Sequence, residues 1–303
     1  MLCCFVPTRV AICEATTSDT TMRLDDLRPT ENVDDQRGRF GGYGPHLAVG
    51  GGGLGLVAVV IISLLFGVNP AQLLNGDSGG TPTEQTGGAG GPRSDDAAFQ
   101  FGRKIVGSAE DVWSPIMQAR GVAFSPATFT VYDSATSTGC GEGEASMGPF
   151  YCSADNHIYL DLSFFNELAD RFGAPGQFAQ AYVIAHEYGH HIQNLLGTTA
   201  AHADHGTGAG SDSVRIELQA DCYAGVWAYH ANAQFSILQQ GDVEAGLRAA
   251  SSVGDDTLEK QAQGYVVPDS FTHGTSAQRV RWFERGLQHG DMNACDTFSS
   301  AEL

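Results

Sequence analysis

Two pairs of side chains constrain this chain more than anything else in it: His186 with His190, and Glu217 with Asp221. Residues four apart lie on one face of an α-helix. The first pair sits between Ala-Tyr-Val-Ile-Ala and Ile-Gln-Asn-Leu-Leu, so its helix is expected to be buried. Buried polar groups need partners or a task. The pattern therefore predicts a helix over 177–196 and a second over 212–233, with Asp212 or Ser213 as N-cap. The Gly-containing connection 197–211 is long enough to turn the chain back on itself.

The first pair belongs to His186-Glu187-Tyr188-Gly189-His190. Two imidazoles four apart can hold one ion, and Glu187 lies beside the open coordination position. A catalytic zinc takes three protein ligands and a water. The metal acidifies that water and a carboxylate removes its proton, which is why the chemistry needs this spacing. Glu217 can supply the third ligand. Asp221, one turn on, can accept a hydrogen bond from the far nitrogen of a ligand histidine and fix its tautomer. The alternative scheme, with a third histidine six residues after His190 and a glycine three residues after it, is excluded, because Leu196 and Gln193 stand there. His191 points about 100° away around the helix and reads as a packing or hydrogen-bonding residue. His202 and His205 lie in the connection, a poor place for a rigid ligand.

Upstream, the uncharged stretch 47–68 is long enough to cross a bilayer as a helix, since roughly 20 residues span about 30 Å. Arg23, Arg28, Arg37 and Arg39 precede it, and no Lys or Arg follows until Arg93. The positive-inside rule then puts 1–46, a polar segment read as disordered, in the cytoplasm, and the C-terminal bulk outside. Residues 1–21 have no clear pattern, and Met22 is expected as the start. Gly and Pro mark 69–97 as a linker. The globular domain is expected over 98–303. Acidic residues outnumber basic ones 35 to 16, which argues against nucleic-acid binding.

Within that domain, helices are expected at 98–120, 163–172, 242–252 and 276–288, and strands at 127–133 and 157–162. Few strands among long helices mean α+β. The helix at 98–120 is expected to bury Phe101, Ile105, Val112, Ile116 and Met117. Cys140 with Cys152, and Cys222 with Cys295, read as disulfides in an oxidising compartment. His273, in Phe-Thr-His-Gly-Thr, is a candidate donor to a developing oxyanion, with Tyr265 as the alternative.

Several motifs occur in order: Asn32-Val33-Asp34-Asp35, Gly139-Cys140-Gly141, Gly148-Pro149-Phe150-Tyr151-Cys152, Tyr159-Leu160-Asp161-Leu162, His186–His191, Glu217–Cys222 and Phe271-Thr272-His273-Gly274. From about residue 22 onward the chain resembles the bacterial neutral zinc metallopeptidase family. The resemblance implies a zincin-like fold with two ligand-bearing helices, and an edge strand beside the metal. The strand 157–162 is expected in that place, where an extended peptide could pair with it. His157 and Asp161 would then border the cleft or face solvent.

The reading as a whole is a single-pass membrane protein whose extracytoplasmic domain hydrolyses peptide bonds of a peptide or protein substrate. Zn2+ would be held by His186, His190 and Glu217, with Glu187 as general base and His273 assisting. A zinc-binding scaffold without catalysis and a cell-wall amidase are the rival readings.

Overall fold

Helices form where apolar residues recur at helical spacing, and those ending at Leu196, Gln263 and His289 stop at a glycine with positive φ. The computed structural model describes residues 22–38, 93, 95–202 and 206–303. Its strands are β1 (Val33–Asp35), β2 (Thr128–Tyr132), β3 (Ala135–Thr138), β4 (Gly141–Glu144), β5 (Phe150–Cys152) and β6 (His157–Asp161). Its helices are α1 (Asp96–Ala119), α2 (Phe164–Asp170), α3 (Gln177–Leu196), α4 (Thr198–Ala201), α5 (Asp212–Phe235), α6 (Asp242–Ser252), α7 (Asp255–Gln263) and α8 (Ser276–His289). The α+β class and the position of every expected domain helix and strand agree with the sequence reading. Of the core positions expected on α1, all are buried except Ile116, which is partly so.

Helix α5 is the central rod. Ser211, one residue ahead of the expected caps, accepts the Val214 N–H at its start. From Leu218 to Ala228 every residue is buried, so the helix is enclosed on all sides rather than amphipathic. Three close approaches set its neighbours. A Cβ on Gly189 of α3 would lie 2.9 Å from the Ala220 carbonyl oxygen. One on Gly225 would lie 2.2 Å from the Phe283 carbonyl oxygen, and one on Gly286 of α8 would lie 1.9 Å from that of Cys222. Glycine at these points lets α3 and α8 lie backbone-to-backbone on α5. That packing carries the ligand faces to one place.

The main sheet has the order β1-β2-β6-β5, with β1, β2 and β6 parallel and β5 antiparallel to β6. The strand expected at the edge beside the metal, 157–162, is therefore interior, and β5 takes the edge. A three-residue strand after Gly-Pro carries too little alternation to announce itself. The β3–β4 hairpin folds beside it, and the Cys140–Cys152 disulfide ties the hairpin's turn to β5. The second disulfide, Cys222–Cys295, pins the C-terminal tail to α5. Closing a loop of 73 residues is worth about 4 kcal/mol on chain-entropy grounds.

The larger correction concerns the N-terminal segment. Residues 22–38 were expected to be disordered and separated from the domain by a bilayer. Instead they form a strap across it. β1 pairs with β2, Met22 and Leu27 are buried in the main core, and the Arg23 N–H donates to the Ile237 carbonyl. Thr30 donates to the buried Glu110 carboxylate at 2.5 Å, and Asn32 donates to the same oxygen. The Arg37 side chain, 3% exposed, is paired with Asp35, Asp95 and Asp96 and lies over the Phe99 ring. Polar composition hid this, because the strap is held by ion pairs and backbone bonds as much as by apolar burial. One hydrogen-bonded sheet cannot straddle a bilayer, so residues 22–38 and 95–303 share one compartment. That overturns the opposite-sided placement. The expected span 47–68 lies outside the described residues, and among the described residues no helix is long and apolar enough to cross a membrane.

Single cysteines placed at the exposed positions Asp25 and Gln263, in a Cys3/Cys4/Cys13→Ser background, should react with a membrane-impermeant maleimide from the same side of cell-derived vesicles. Labelling from opposite sides would mean that the strap does not lie on the domain.

Candidate metal centre

Helix α3 presents His186, Glu187 and His190 toward α5, and α5 returns Glu217 and Asp221. The Nε2 atoms of His186 and His190 are 3.2 Å apart. Glu217 approaches them with Oε2 at 3.1 Å from His186 Nε2 and Oε1 at 3.5 Å from His190 Nε2. Nitrogen and oxygen ligands of a tetrahedral zinc, each about 2.0–2.1 Å from it, lie about 3.3 Å from one another. The spacing of the three groups fits that requirement, and the two-imidazole, one-carboxylate donor set fits the metal's chemistry.

The far side of each ring points the same way. His186 Nδ1 is 2.8 Å from Asp221 Oδ1, and His190 Nδ1 is 2.9 Å from Gln193 Oε1. Both partners are acceptors, so each Nδ1 carries a proton and each Nε2 is left to face Glu217. Asp221 is fully buried and is itself held. Arg279 of α8 donates to both its oxygens, at 2.8 and 2.9 Å, and Tyr182 donates to Oδ1 at 2.5 Å. Arg279 is 4% exposed and also donates to the Val253 carbonyl. Gln193 is fixed in turn. Its amide donates to the Ile216 carbonyl at 2.7 Å and to Gln219, whose amide donates to the Cys295 carbonyl. The second disulfide thus sits at the end of the bonds that orient His190.

The electrostatics follow from burial and pairing. Burial alone would depress His186, but the charge and hydrogen bond of Asp221, together with Glu217, raise it to about 10 in the metal-free chain. Burial pushes the Glu217 carboxyl up, yet His190 and His186 hold it well below the usual carboxylate range. Asp221 is likewise kept low against burial by Arg279 and His186. Glu187 is shifted the other way: burial raises it and its neighbours do not offset that. A carboxyl raised toward working pH can both take and return a proton.

His273 lines the same cleft as these residues. Its Nδ1 is 3.2 Å from Asp255 Oδ1, and the backbone N–H groups of Thr272, His273 and Gly274 all donate to Asp255 Oδ2. Burial works against its charge, while Asp255 and the charge of Glu217 raise its pKa. Tyr265, the alternative donor, is 62% exposed and does not line the cleft. His191 is buried between the Tyr151 hydroxyl and the Ser125 carbonyl. His202 pairs with Asp212 and stacks on Phe298. His205 lies outside the described residues. His157, bonded to Thr130, and Asp161, bonded to the Ser134 N–H, do not line the cleft.

Sequence reasoning missed Tyr182, Gln193, Asp255 and Arg279. Tyr182 lies four residues before His186 on the same helix face, a signal that was available. Arg279 and Asp255 are joined to the site only by long-range packing, so no local spacing marks them.

The family model described as "Putative neutral zinc metallopeptidase" matches residues 22–298. The chain is 43% identical over 294 residues to the uncharacterized protein YpfJ of Escherichia coli K12, covering 92% of this chain and 100% of that protein. It is also 43% identical over 206 residues to the uncharacterized protein Rv2575 of Mycobacterium tuberculosis, covering 65% of this chain and 69% of that one. No solved structure matches the chain.

Gln193→Leu should lower zinc affinity about tenfold or more while the fold is retained, because His190 loses the acceptor on its Nδ1. Arg279→Met should lower it too and also destabilise the metal-free chain by about 3–5 kcal/mol, since Asp221 is left buried without its counter-charge. Competitive zinc titration and urea denaturation measure the two effects; unchanged affinity in both variants would show that neither residue orients a ligand.

Proposed function

We propose that this chain, which belongs to the neutral zinc metallopeptidase family, is a zinc-dependent peptidase that hydrolyses peptide bonds in an extended substrate. The observation that carries the reading is the meeting of two imidazoles and a carboxylate at ligand spacing, with a second, raised carboxyl on the next residue of the same helix. His186, His190 and Glu217 would hold the metal. Bound zinc supplies Lewis acidity toward the scissile carbonyl and an attacking water.

The chain's own groups do the rest. Glu187 takes the proton from the attacking water and passes it to the leaving amine nitrogen. His273, held through Nδ1 by Asp255, carries a proton on Nε2 and donates it as a hydrogen bond to the oxyanion that develops on the carbonyl. Asp221, fixed by Arg279 and Tyr182, keeps His186 in the tautomer that leaves Nε2 free. Residues of β5, an edge strand of the sheet, line the cleft together with the proposed metal ligands. An extended peptide can add to that edge through main-chain hydrogen bonds, which places its carbonyls over the site.

Two disulfides fit an oxidising compartment, which supports a reading of the domain as lying outside the cytoplasm. Attachment to a bilayer through 47–68, with 22–38 and 95–303 on the same face, belongs to the same proposal.

Elemental analysis of the purified full chain should find about one zinc per chain, lost in His186→Ala and in Glu217→Ala. Glu187→Gln should keep the zinc and lose turnover of a casein-type protein substrate by about a hundredfold or more. No zinc after reconstitution under oxidising conditions would end the peptidase reading.

His273→Ala should keep the zinc and lower kcat by about a hundredfold. Unchanged kcat would remove His273 from the reaction.

A further inference from the structure

The C-terminal tail, after α8, lies against the back of the helix that carries Glu217. Arg215, Gln219 and Cys222 follow one another on α5 at spacings of four and three, so they share one face. Glu217 and Asp221, each two residues on from Arg215 and Gln219, point to the opposite side of the helix. The tail meets the first face along three residues. The Arg215 guanidinium donates to the Thr297 and Ser300 carbonyls, and the Thr297 hydroxyl donates to the Arg215 carbonyl at 2.7 Å. The Gln219 amide donates to the Cys295 carbonyl at 3.1 Å, and Cys222 is joined to Cys295. Cys222, Cys295 and Thr297 have no exposed surface.

The Gln219 contact has a polarity that reaches the metal site. A backbone carbonyl only accepts, so Cys295 requires the NH2 of Gln219. The oxygen of Gln219 is then left for Gln193, which donates to it at 3.1 Å. Gln193 in turn keeps its own oxygen for His190 Nδ1. The Ile216 carbonyl holds the Gln193 NH2 in the same sense. Both glutamines are buried, so an amide that loses its partner is left unsatisfied or turns over. A turned Gln219 would set its NH2 against that of Gln193, donor against donor.

Resting on the zinc-binding reading above, we propose that the C-terminal tail is a positioning element of the metal centre, acting through Gln219, and that the Cys222–Cys295 bond sets how tightly the centre holds zinc. The disulfide ties the tail to α5 covalently. While it is closed, the Cys295 carbonyl stays at Gln219. Once it is open, hydrogen bonds and packing alone keep the tail in place, and the carbonyl leaves Gln219 part of the time. Closure is a thiol–disulfide exchange: the two thiols give two electrons and two protons to a donor disulfide, which leaves as two thiols. The centre is therefore weak in a thiol-reducing compartment and tight in an oxidising one.

Zinc affinity would be measured by competitive titration of the full chain in a Cys3/Cys4/Cys13→Ser background, where Cys140, Cys152, Cys222 and Cys295 remain. Cys222→Ala/Cys295→Ala should bind zinc about tenfold more weakly than its parent. Gln219→Leu, which keeps the disulfide and cuts the relay, should lose about as much. Combining the three changes should cost no more than either alone, because both act along one path. Unchanged affinity in the cysteine variant or in Gln219→Leu would overturn the proposal, as would additive losses on combining them. An equal loss in Cys140→Ser/Cys152→Ser would also overturn it, by tracing the effect to general loosening. Absence of zinc binding by the parent would overturn the metal centre and this proposal with it, whereas every other outcome leaves the metal centre standing.

Discussion

A carboxylate with no exposed surface holds this structure's site together. Asp221 lies in the middle of α5, and an isolated charge there would cost several kcal/mol or would take up a proton. It stays ionised because two helices bring three donors to it: His186 and Tyr182 from α3, and Arg279 from α8. The same contacts decide where α3 and α8 sit on α5, together with the glycine approaches at Gly189, Gly225 and Gly286. Packing and chemistry therefore share one determinant. A helix shifted by a single turn would strand the aspartate and also turn the His186 ring.

The two histidines proposed to hold the metal are held by unlike means. His186 leans on an ion pair, whereas His190 leans on neutral amides that run through Gln193 and Gln219 to the Cys295 carbonyl. A charged acceptor raises the basicity of its imidazole more than an amide does. As ligands the two would differ in strength although the residue types are identical. The disulfide from Cys222, next to Asp221, to Cys295 connects the two supports at their outer ends.

Much of this site was legible because helical spacing is a local property. His186, Glu187, His190 and the Glu217–Asp221 pair could be placed on two helix faces from the sequence, and those faces do meet. The long helices were legible for the same reason: apolar periodicity over many turns leaves few alternatives. What was not legible depends on distant residues. Arg279 is one of several arginines until α8 packs on α5. Strands β1 and β5, of three residues each, exist only because β2 and β6 are there to pair with them. The strap at 22–38 reads as polar tail because its partners, Glu110, Asp95 and Asp96, lie some sixty to eighty residues downstream. Segments like 163–170 and 255–263, short and anchored by few apolar residues, fall between these extremes: the first was expected and the second was not.

Arg279 lies 58 residues after Asp221 in the chain, and the carbonyl that ends the Gln193 relay lies 76 residues after Gln219. A chain emerging from the ribosome, or threading through a translocation channel, exposes its histidine motif long before either support exists. Until α8 arrives, Asp221 lacks its guanidinium partner. The order of synthesis thus completes the supports of this cluster only once the C-terminal part of the chain has been made.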